Sequence, residues 1–429
     1  MNTPVTNKGP QTLAQKILAR AAGRDTVTPG EIVVCKVDLA MTHDSSGPRR
    51  LQPMLERLGA KVWDMSKFVC ITDHYLPARD EDSKKIIQIT RDWAAEHKLA
   101  NFHDEEGICH VVLPEKGHLR PGMFAVGGDS HSPTGGAFGS YMFGIGATEM
   151  LGVVVTGEIW VKVPQTILIE WSGRLKPGVS AKDMMLYLCG RMGMDGAQYQ
   201  AVQYAGEAVA ALSMHERMTL CNMAAEIGAQ TGMVAPDAVT SDWLKAVGVT
   251  GIDTATWQTD PGAPLGEHQR HDASTLAPQV AAPHSPANAS AADGHASQKV
   301  HVAYIGACTG AKLDDLRMAA SVLRGKRVAP GVTLMVGAAS LRDQKQAEAE
   351  GTLAALVDAG AQLLPNACGA CAGYGSYTFD AGTVVISSTA RNFRGRMGSP
   401  ESQVWLGSPY TVAASAVTGR ITDPREVLQ

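Results

Sequence analysis

Short apolar runs alternate with longer amphipathic segments along the first part of the chain. Apolar runs of roughly four to eight residues indicate buried strands, and apolar positions three or four apart indicate helices. The pattern predicts strands at 31–39, 61–64, 70–72, 111–113, 123–127 and 168–171, and helices at 49–58 and 83–97. Such alternation is typical of an α/β fold with largely parallel sheet.

A change in composition then interrupts the alternation. Residues 251–298 are rich in Ala, Pro, Ser, Asp and His and show little periodicity, which predicts a linker or a surface segment. The alternation resumes with strands predicted at 301–305, 332–336, 362–364 and 383–386, and helices at 312–323 and 343–359. We therefore expect α/β domains over 1–170, over 171–298 including the linker, and over 299–429.

Composition narrows the class of protein. The chain has 429 residues, enough for two or three domains, and its 45% of hydrophobic residues suits a globular protein. Aromatic residues make up 5% and the formal net charge is −4, so neither base stacking nor a basic surface favours nucleic-acid binding. No apolar run is long enough to span a membrane, and the first residues lack a signal segment. The sequence thus predicts a cytoplasmic protein with reduced cysteines.

Three of the eight cysteines lie in segments rich in Gly and Ala. Cys308 follows a predicted strand, and Cys368 and Cys371 form a C-x-x-C motif. Small residues let backbone N–H groups approach a bulky anionic group. Three interpretations remain open: a redox pair, a structural zinc site, and an iron–sulfur cluster held by three thiolates. A redox pair usually lies early in a small domain, and zinc normally needs a fourth ligand. The other cysteines are predicted to be packing residues: Cys35, Cys70, Cys109, Cys189 and Cys221.

Ionisable residues gather at the predicted carboxyl ends of strands, where α/β sheets bind ligands. The segments are Thr42-His-Asp-Ser-Ser-Gly47, Thr72-Asp-His-Tyr75, Gly107-Ile-Cys-His110 and Gly127-Gly-Asp-Ser-His-Ser-Pro-Thr-Gly-Gly136. An Asp beside a His can orient or charge the imidazole. Glu226 lies in a predicted helix of small residues, where alone it would be an ordinary helix carboxylate. The segment 388–396 carries three arginines, which suits either carboxylate binding or a solvated basic loop.

Together these motifs resemble those of the aconitase superfamily. Gly128-Asp-Ser-His131, the segment from Asn222 to Glu226, the three cysteines and Arg391-Asn-Phe-Arg-Gly-Arg396 occur in the family's chain order. The resemblance extends from about residue 17 to residue 427. In length and in the segment around His43, the sequence is most similar to the large subunits of 3-isopropylmalate dehydratases and homoaconitases.

The resemblance implies three α/β/α domains around a [4Fe-4S] cluster bound by Cys308, Cys368 and Cys371. It implies dehydration of a small hydroxy di-acid, in which an open iron acts as a Lewis acid. His74, held by Asp73, would donate a proton to the leaving oxygen. The remaining catalytic residues would position the leaving water or contact the substrate hydroxyl: His110, Asp129, His131 and Glu226. The substrate-binding residues would be His43, Ser130, Arg391 and Arg396.

The resemblance also implies a partner. Single-chain aconitases carry a fourth, swivelling domain that supplies a serine base, and this sequence reaches only the expected end of the third domain. We therefore expect a separate small subunit. Candidate substrates are isopropylmalate, homoaconitate, 2-methylmalate with citraconate, dimethylmalate and maleate. The alternatives from other classes are an iron-sensing or RNA-binding protein without catalytic activity, and a zinc- or disulfide-based protein without a cluster.

Two positions depart from the family pattern. The usual C-T-N is Cys308-Thr-Gly310 here, and the usual N-R-N-F begins with Ala390. Two polar side chains near the cluster are therefore replaced. Such a change is expected to alter the cluster's potential, its sensitivity to oxygen or the choice of substrate.

Overall fold

The computed structural model describes residues 9–373 and 377–428. The first eight residues, residues 374–376 of the glycine-rich segment after Cys371, and Gln429 lie outside the described part, so the expectations for them stay predictions. No helix in the described ranges is both long and apolar enough to cross a membrane.

Strands and helices alternate through most of the described chain. The strands are β1 Ile32–Lys36, β2 Leu39–His43, β3 Phe68–Ile71, β4 Phe102–His103, β5 Phe124–Gly127, β6 Tyr141–Gly144, β7 Glu158–Lys162, β8 Thr166–Ser172, β9 Ala201–Ala205, β10 Thr231–Val234, β11 Glu267–Asp272, β12 Gln279–Ala281, β13 Ala289–Ala291, β14 Val302–Ile305, β15 Thr333–Val336, β16 Ala361–Leu363, β17 Val384–Ser387 and β18 Gln403–Gly407. The helices are α1 Leu13–Ala21, α2 Pro48–Leu58, α3 Glu81–Glu96, α4 Cys109–Glu115, α5 Ala147–Thr156, α6 Ala181–Met192, α7 Glu207–Ala210, α8 Met214–Met223, α9 Ala238–Ala246, α10 Leu313–Leu323, α11 Leu341–Ala349, α12 Thr352–Ala359 and α13 Pro409–Thr418.

The first sheet has five parallel strands in the order β4-β3-β2-β5-β6. Its central strands are buried along their whole length, as their near-continuous apolar residues require. Because parallel strands end at the same edge, the segments that follow β2, β3 and β5 come together there. β1 and β7 form a separate antiparallel ribbon.

The second and third sheets complete the architecture. The second is parallel, in the order β10-β9-β8-β11. The third has seven strands in the order β13-β12-β18-β17-β14-β15-β16, antiparallel only at β12 and β13. One apolar core includes residues from all three sheets. The predicted α/β class is therefore confirmed, and the boundaries at 170 and 298 stay predictions.

Three local predictions are wrong. Residues 111–113 lie inside α4, which is buried on all sides, and a short apolar run cannot distinguish a buried helix from a buried strand. Residues 61–64 form no strand and lead into a 3₁₀ turn capped by Asp64. The predicted helix 343–359 is two helices, because Gly351 adopts φ 76° between α11 and α12.

The sequence predicts a linker or a surface segment at 251–298, and the linker interpretation is wrong in the second half. β11 pairs along its whole length with β8, and β12 pairs with β18. These strands are short or lie at sheet edges, and their polar and small side chains give no alternating apolar signal. The segment therefore extends two sheets, whereas residues 251–266 form neither helix nor strand.

Candidate active site

An aspartate–histidine pair lies just after β3. His74 Nδ1 is 2.6 Å from Asp73 Oδ1, and the other carboxylate oxygen of Asp73 accepts the Cys109 backbone N–H at 2.8 Å. Burial alone would lower the pKa of His74, but Asp73 and Asp129 outweigh it and hold that pKa well above its usual value. Burial likewise opposes ionisation of Asp73, yet His74 brings its pKa down to about 2. The geometry therefore favours a protonated His74.

The segment after β2 contacts the Asp73–His74 pair and holds it in place. Asp44, which sequence reasoning did not select, is fully buried and accepts the backbone N–H groups of His74 at 3.1 Å and Tyr75 at 2.9 Å. The His43 ring stacks on the His74 ring with centroids 3.8 Å apart. Both contacts limit the movement of the His74 side chain.

Asp129 connects the histidines of the first sheet. Its Oδ1 is 2.7 Å from His110 Nε2 and accepts the His131 backbone N–H at 2.7 Å. Its Oδ2 lies 3.7 Å from His74 Nε2 and 3.9 Å from His43 Nε2. Burial would raise the pKa of Asp129, but His110 and its neighbours lower it well below the usual value. An ionised carboxylate thus lies among four imidazoles.

Glu226 joins this network to the arginine segment. It lies in a 3₁₀ turn after α8 and is fully buried. Its Oε1 is 3.0 Å from His131 Nε2 and accepts a hydrogen bond from Arg391 Nε at 2.6 Å. Arg391 also donates to Ser130 Oγ at 2.7 Å. Burial opposes the charge on Glu226, but His131 and Arg391 lower its pKa.

The three selected cysteines converge on the same region. Cys308 follows β14, Cys368 caps a 3₁₀ turn after β16 and Cys371 is its last residue; all three thiols are free and buried. Burial raises the pKa of Cys308 to about 12, and the hydrogen bond with Cys371 together with burial raises that of Cys368. Such thiols would ionise on binding a metal.

The spacing of these thiols bears on which group they would hold. Within the described ranges, the sets of three or more candidate ligand atoms that all lie within 4.8 Å are histidine–carboxylate groups, and the cysteine trio is not among them. Tetrahedral zinc with bonds of about 2.3 Å requires sulfurs about 3.8 Å apart. The three sulfurs are therefore not gathered as the ligands of a single zinc ion would be.

Buried polar atoms without partners bear on the same question. The amide N–H of Asn222 donates to Cys308 Sγ at 3.2 Å, while its Oδ1 has no hydrogen-bond partner in the described structure. The same holds for Glu226 Oε2, His43 Nε2 and Arg396 Nε. Burial opposes the charge on Arg396, but the nearby Cys371 and Cys368 raise its pKa. The unpaired atoms of Asn222 and Arg396 lie near the thiols and suit a [4Fe-4S] cluster, and those of Glu226 and His43 lie in the histidine–carboxylate network and suit a polar substrate.

Backbone hydrogen bonds fasten the cysteine segments to the first sheet. The Cys368 N–H donates to Asp73 O at 3.0 Å. Nearby, Ile108 N donates to Ala339 O at 2.8 Å, and Leu341 N donates to Glu106 O at 2.9 Å. The loop that carries the acid–base pair and the loops of the third sheet are therefore joined directly.

The structure gives a reason for Gly310. A Cβ at this position would lie 2.2 Å from both side-chain atoms of Ser388 and 2.6 Å from the Ser388 carbonyl oxygen. The Ser388 hydroxyl occupies this space and accepts the Gly306 backbone N–H at 3.0 Å. Ser388 thus fills the room into which a side chain at 310 would extend.

Gly310→Ala should lower the midpoint of thermal unfolding of the apo-protein. The added methyl group overpacks a buried contact that includes backbone, which costs about 1–3 kcal/mol. Gly152→Ala is the matched control, because Gly152 lies in α5 with nothing within 4 Å of its Cβ position. Equal midpoints for the two variants in differential scanning calorimetry would contradict the steric explanation.

Two buried lysines behind Cys308 were not predicted. Lys182 Nζ donates to Thr389 O at 2.6 Å and Ser388 O at 3.1 Å, and lies 3.3 Å from Thr309 Oγ1. Lys312 Nζ donates to Cys308 O at 2.8 Å and to Asp315 Oδ2 at 2.6 Å. Burial lowers the pKa of Lys182 to about 8, against the opposite effect of Cys308 and Cys371. Nothing in the local sequence distinguishes these lysines from surface lysines.

The structure thus brings all thirteen predicted site residues into one region. They are His43, Asp73, His74, His110, Asp129, Ser130, His131, Glu226, Cys308, Cys368, Cys371, Arg391 and Arg396. The third arginine of the motif, Arg394, is exposed to solvent. The five other cysteines are buried, as expected for packing residues. The roles of the individual residues stay proposals.

Comparison with known proteins identifies the class. The family model described as "Aconitase family (aconitate hydratase)" matches residues 15–299 and 290–419. The chain belongs to the aconitase family.

Particular relatives are similar over almost their whole length. The chain is 43% identical to the 3-isopropylmalate dehydratase large subunit 1 of Methanopyrus kandleri, covering 97% of this chain and 100% of that protein. It is 40% identical to the probable methanogen homoaconitase large subunit of Methanothermobacter thermautotrophicus, covering 96% and 97%. The crystal structure of holo aconitase X from Thermococcus kodakaraensis superimposes with a TM-score of 0.51 at 12% identity, covering 86% and 88%. That last likeness concerns the fold alone.

Proposed function

We propose that the chain is the large subunit of a hydro-lyase that reversibly dehydrates a small hydroxy di-acid of the 3-isopropylmalate type. The observation that carries the proposal is the convergence of a charged Asp73–His74 pair, the segment of Arg391 and Arg396, and three buried thiols. Membership of the aconitase family and relatives named as dehydratase and homoaconitase large subunits support it. The proposed cofactor is a [4Fe-4S] cluster held by Cys308, Cys368 and Cys371.

Each group then has a role consistent with its charge. When bound, the cluster supplies a Lewis-acidic iron that weakens the substrate's C–O bond. His74, protonated because of Asp73 and Asp129, donates its proton to the departing oxygen. Hydroxide is a poor leaving group, so this proton converts it to water.

The leaving water would be held by His110, Asp129 and His131, whose side chains already form one hydrogen-bonded network. Glu226 contacts that network through His131, and its free Oε2 is available to the substrate hydroxyl. These groups also keep bulk water out of the reacting position, because all but Asp129 are buried.

Substrate carboxylates would be bound by Arg391 and Arg396, with Ser130 and His43 completing the polar surface. A guanidinium can give two parallel hydrogen bonds to a carboxylate. Two arginines suit a di-acid, which favours isopropylmalate, 2-methylmalate with citraconate, dimethylmalate or maleate over the tri-acid homoaconitate. Homoaconitate stays an alternative, since one relative is named a homoaconitase.

We further propose that a separate small subunit supplies a serine base for the carbon-bound proton. The naming of the relatives as large subunits supports a partner of this kind. Ser130 and part of Arg391 are exposed at the site, so a second chain can reach the substrate from this side.

The reconstituted chain should be brown and contain about four irons and four sulfides. Turnover, followed by ultraviolet absorbance of the unsaturated acid, should appear only when a small subunit is added. A panel of the acids named above, tested with each candidate small subunit, then assigns the substrate.

Three outcomes would contradict different parts of the proposal. A colourless protein that binds one zinc would overturn the cluster and the mechanism. Turnover by the large chain alone would overturn the need for a partner and leave the cluster intact. A chain that binds a cluster but turns over none of the acids with any small subunit would instead favour the iron-sensing alternative.

A further inference from the structure

A buried ammonium group lies directly behind the proposed cluster-binding segments. Lys182 occupies the first turn of α6, and only 1% of it is exposed. Its three hydrogen-bond partners are the Thr309 hydroxyl and the carbonyl oxygens of Ser388 and Thr389, all of them neutral. Lysine is almost never buried this completely without a paired charge.

The expected counter-charge is missing from the described structure. Among residues 9–373 and 377–428, no carboxylate oxygen lies within 4 Å of Lys182 Nζ, whereas the equally buried Lys312 is paired with Asp315. The location adds to the cost, because the amino-terminal end of a helix disfavours a cation. A buried cation is costly without a negative charge nearby, and no carboxylate of the described residues offsets this one.

The partners of Lys182 show where that charge would be. Thr309 immediately follows Cys308, and Ser388 and Thr389 lead into the segment of Arg391. Cys308 and Cys371 are the acidic groups that act most strongly on this lysine, and both would carry negative charge once they bind a metal group. The ammonium therefore connects two of the segments that surround the three thiols.

We propose that Lys182 is the buried counter-charge of the iron–sulfur cluster, and that its ammonium raises the cluster's reduction potential by offsetting the charge of the three thiolates. Reduction adds one electron and makes the cluster more negative, so a fixed positive charge favours the reduced form. Lys182 is a positioning residue in this sense, because it touches neither the substrate nor the reacting atoms. The inference rests on the proposed function only in requiring the cluster at these cysteines.

The test separates the effect of the Lys182 charge on the reduction potential from the effect of its hydrogen bonds. Lys182→Met and Lys182→Gln remove the charge, and Gln keeps a hydrogen-bond donor, whereas Lys182→Arg keeps both. The chains are reconstituted anaerobically, and the cluster's one-electron reduction is titrated by electron paramagnetic resonance. At a fixed potential, the ratio of reduced to oxidised cluster should fall about tenfold in the Met and Gln variants, which corresponds to a reduction potential lower by about 59 mV. In the Arg variant the ratio should stay near that of wild type. Unchanged potentials in Met and Gln would overturn the proposal.

Thermal unfolding separates this role from simple packing. Without cluster, Lys182→Met should be at least as stable as wild type, because it removes an uncompensated buried charge. Binding of the cluster should raise the unfolding midpoint of Lys182→Met by less than it raises that of wild type. Equal losses with and without cluster would show a merely structural role and overturn the counter-charge. If the Lys182→Met variant does not fold, both measurements are made on the Lys182→Gln variant.

Failure of the two proposals can be distinguished. A wild-type chain that binds no cluster overturns both. A wild-type chain that binds the cluster, beside Met and Gln variants with unaltered potential, overturns only the role of Lys182. The reduction potential needs no substrate or small subunit, so inactivity towards the acids leaves this test unaffected.

Discussion

Cys368→Ser should yield a folded chain that holds no [4Fe-4S] cluster and has no measurable turnover with the small subunit. The substitution removes one of three thiolates, and a serine hydroxyl is a poor ligand for this group because it remains protonated. The fold should survive, because Cys368 lies in a short 3₁₀ segment outside the main apolar core. Iron and sulfide content, visible absorbance and circular dichroism measure the three expectations.

The matched control for this variant is Cys35→Ala. Cys35 is fully buried in β1 and belongs to the core around α1, away from the three thiols. This variant should keep about four irons per chain, with at most a modest loss of stability. A full cluster in Cys368→Ser, or loss of the cluster in Cys35→Ala, would refute the assignment of ligands.

His74→Asn should keep the cluster and lower kcat by about 10² to 10⁴, the usual contribution of general acid–base catalysis. The asparagine cannot deliver a proton to the leaving oxygen, although its amide N–H can still donate a hydrogen bond to Asp73. KM should change little, because Arg391 and Arg396 are untouched. Steady-state kinetics with the small subunit present, and iron content measured on the same samples, provide the comparison.

Arg396→Lys serves as the contrasting variant for the acid step. An ammonium cannot reproduce the paired hydrogen bonds of a guanidinium, so the main defect should be a higher KM. Near-normal kcat in His74→Asn with a full cluster would show that another group is the acid. Asp129 and His131 would then be examined first, since both lie in the same network.

The local parts of the site could be predicted because they depend on short-range rules. Asp73, His74 and Asp129 follow strands of a parallel sheet, and such positions meet at one edge. The identity of the three cysteines as a set came from the family resemblance, since the C-x-x-C motif alone left zinc and redox interpretations open. In the structure the three sulfurs do not all lie within 4.8 Å of one another, as the ligands of a single zinc ion would.

The parts that could not be predicted depend on contacts between distant segments. Lys182 and Thr309 are 127 residues apart, and Glu226 and Arg391 are 165 apart. Nothing in either local pattern encodes such a meeting. The wrong strand at 111–113 has a different cause, because a short run buried on every side has no helical or strand periodicity to detect.

Because the Cys368 N–H donates a hydrogen bond to Asp73 O, binding of the cluster would also affect the backbone beside His74. Whatever orders the cysteine turn also holds the backbone next to His74, so order in the two loops is coupled. By thermodynamic linkage, binding of the cofactor would also stabilise the ordered conformation of the loop that carries His74. Without the cofactor, the contacts with Asp44 and His43 would still hold His74 while the Cys368 turn lost order, and amide exchange at 368 would report maturation before any substrate is added.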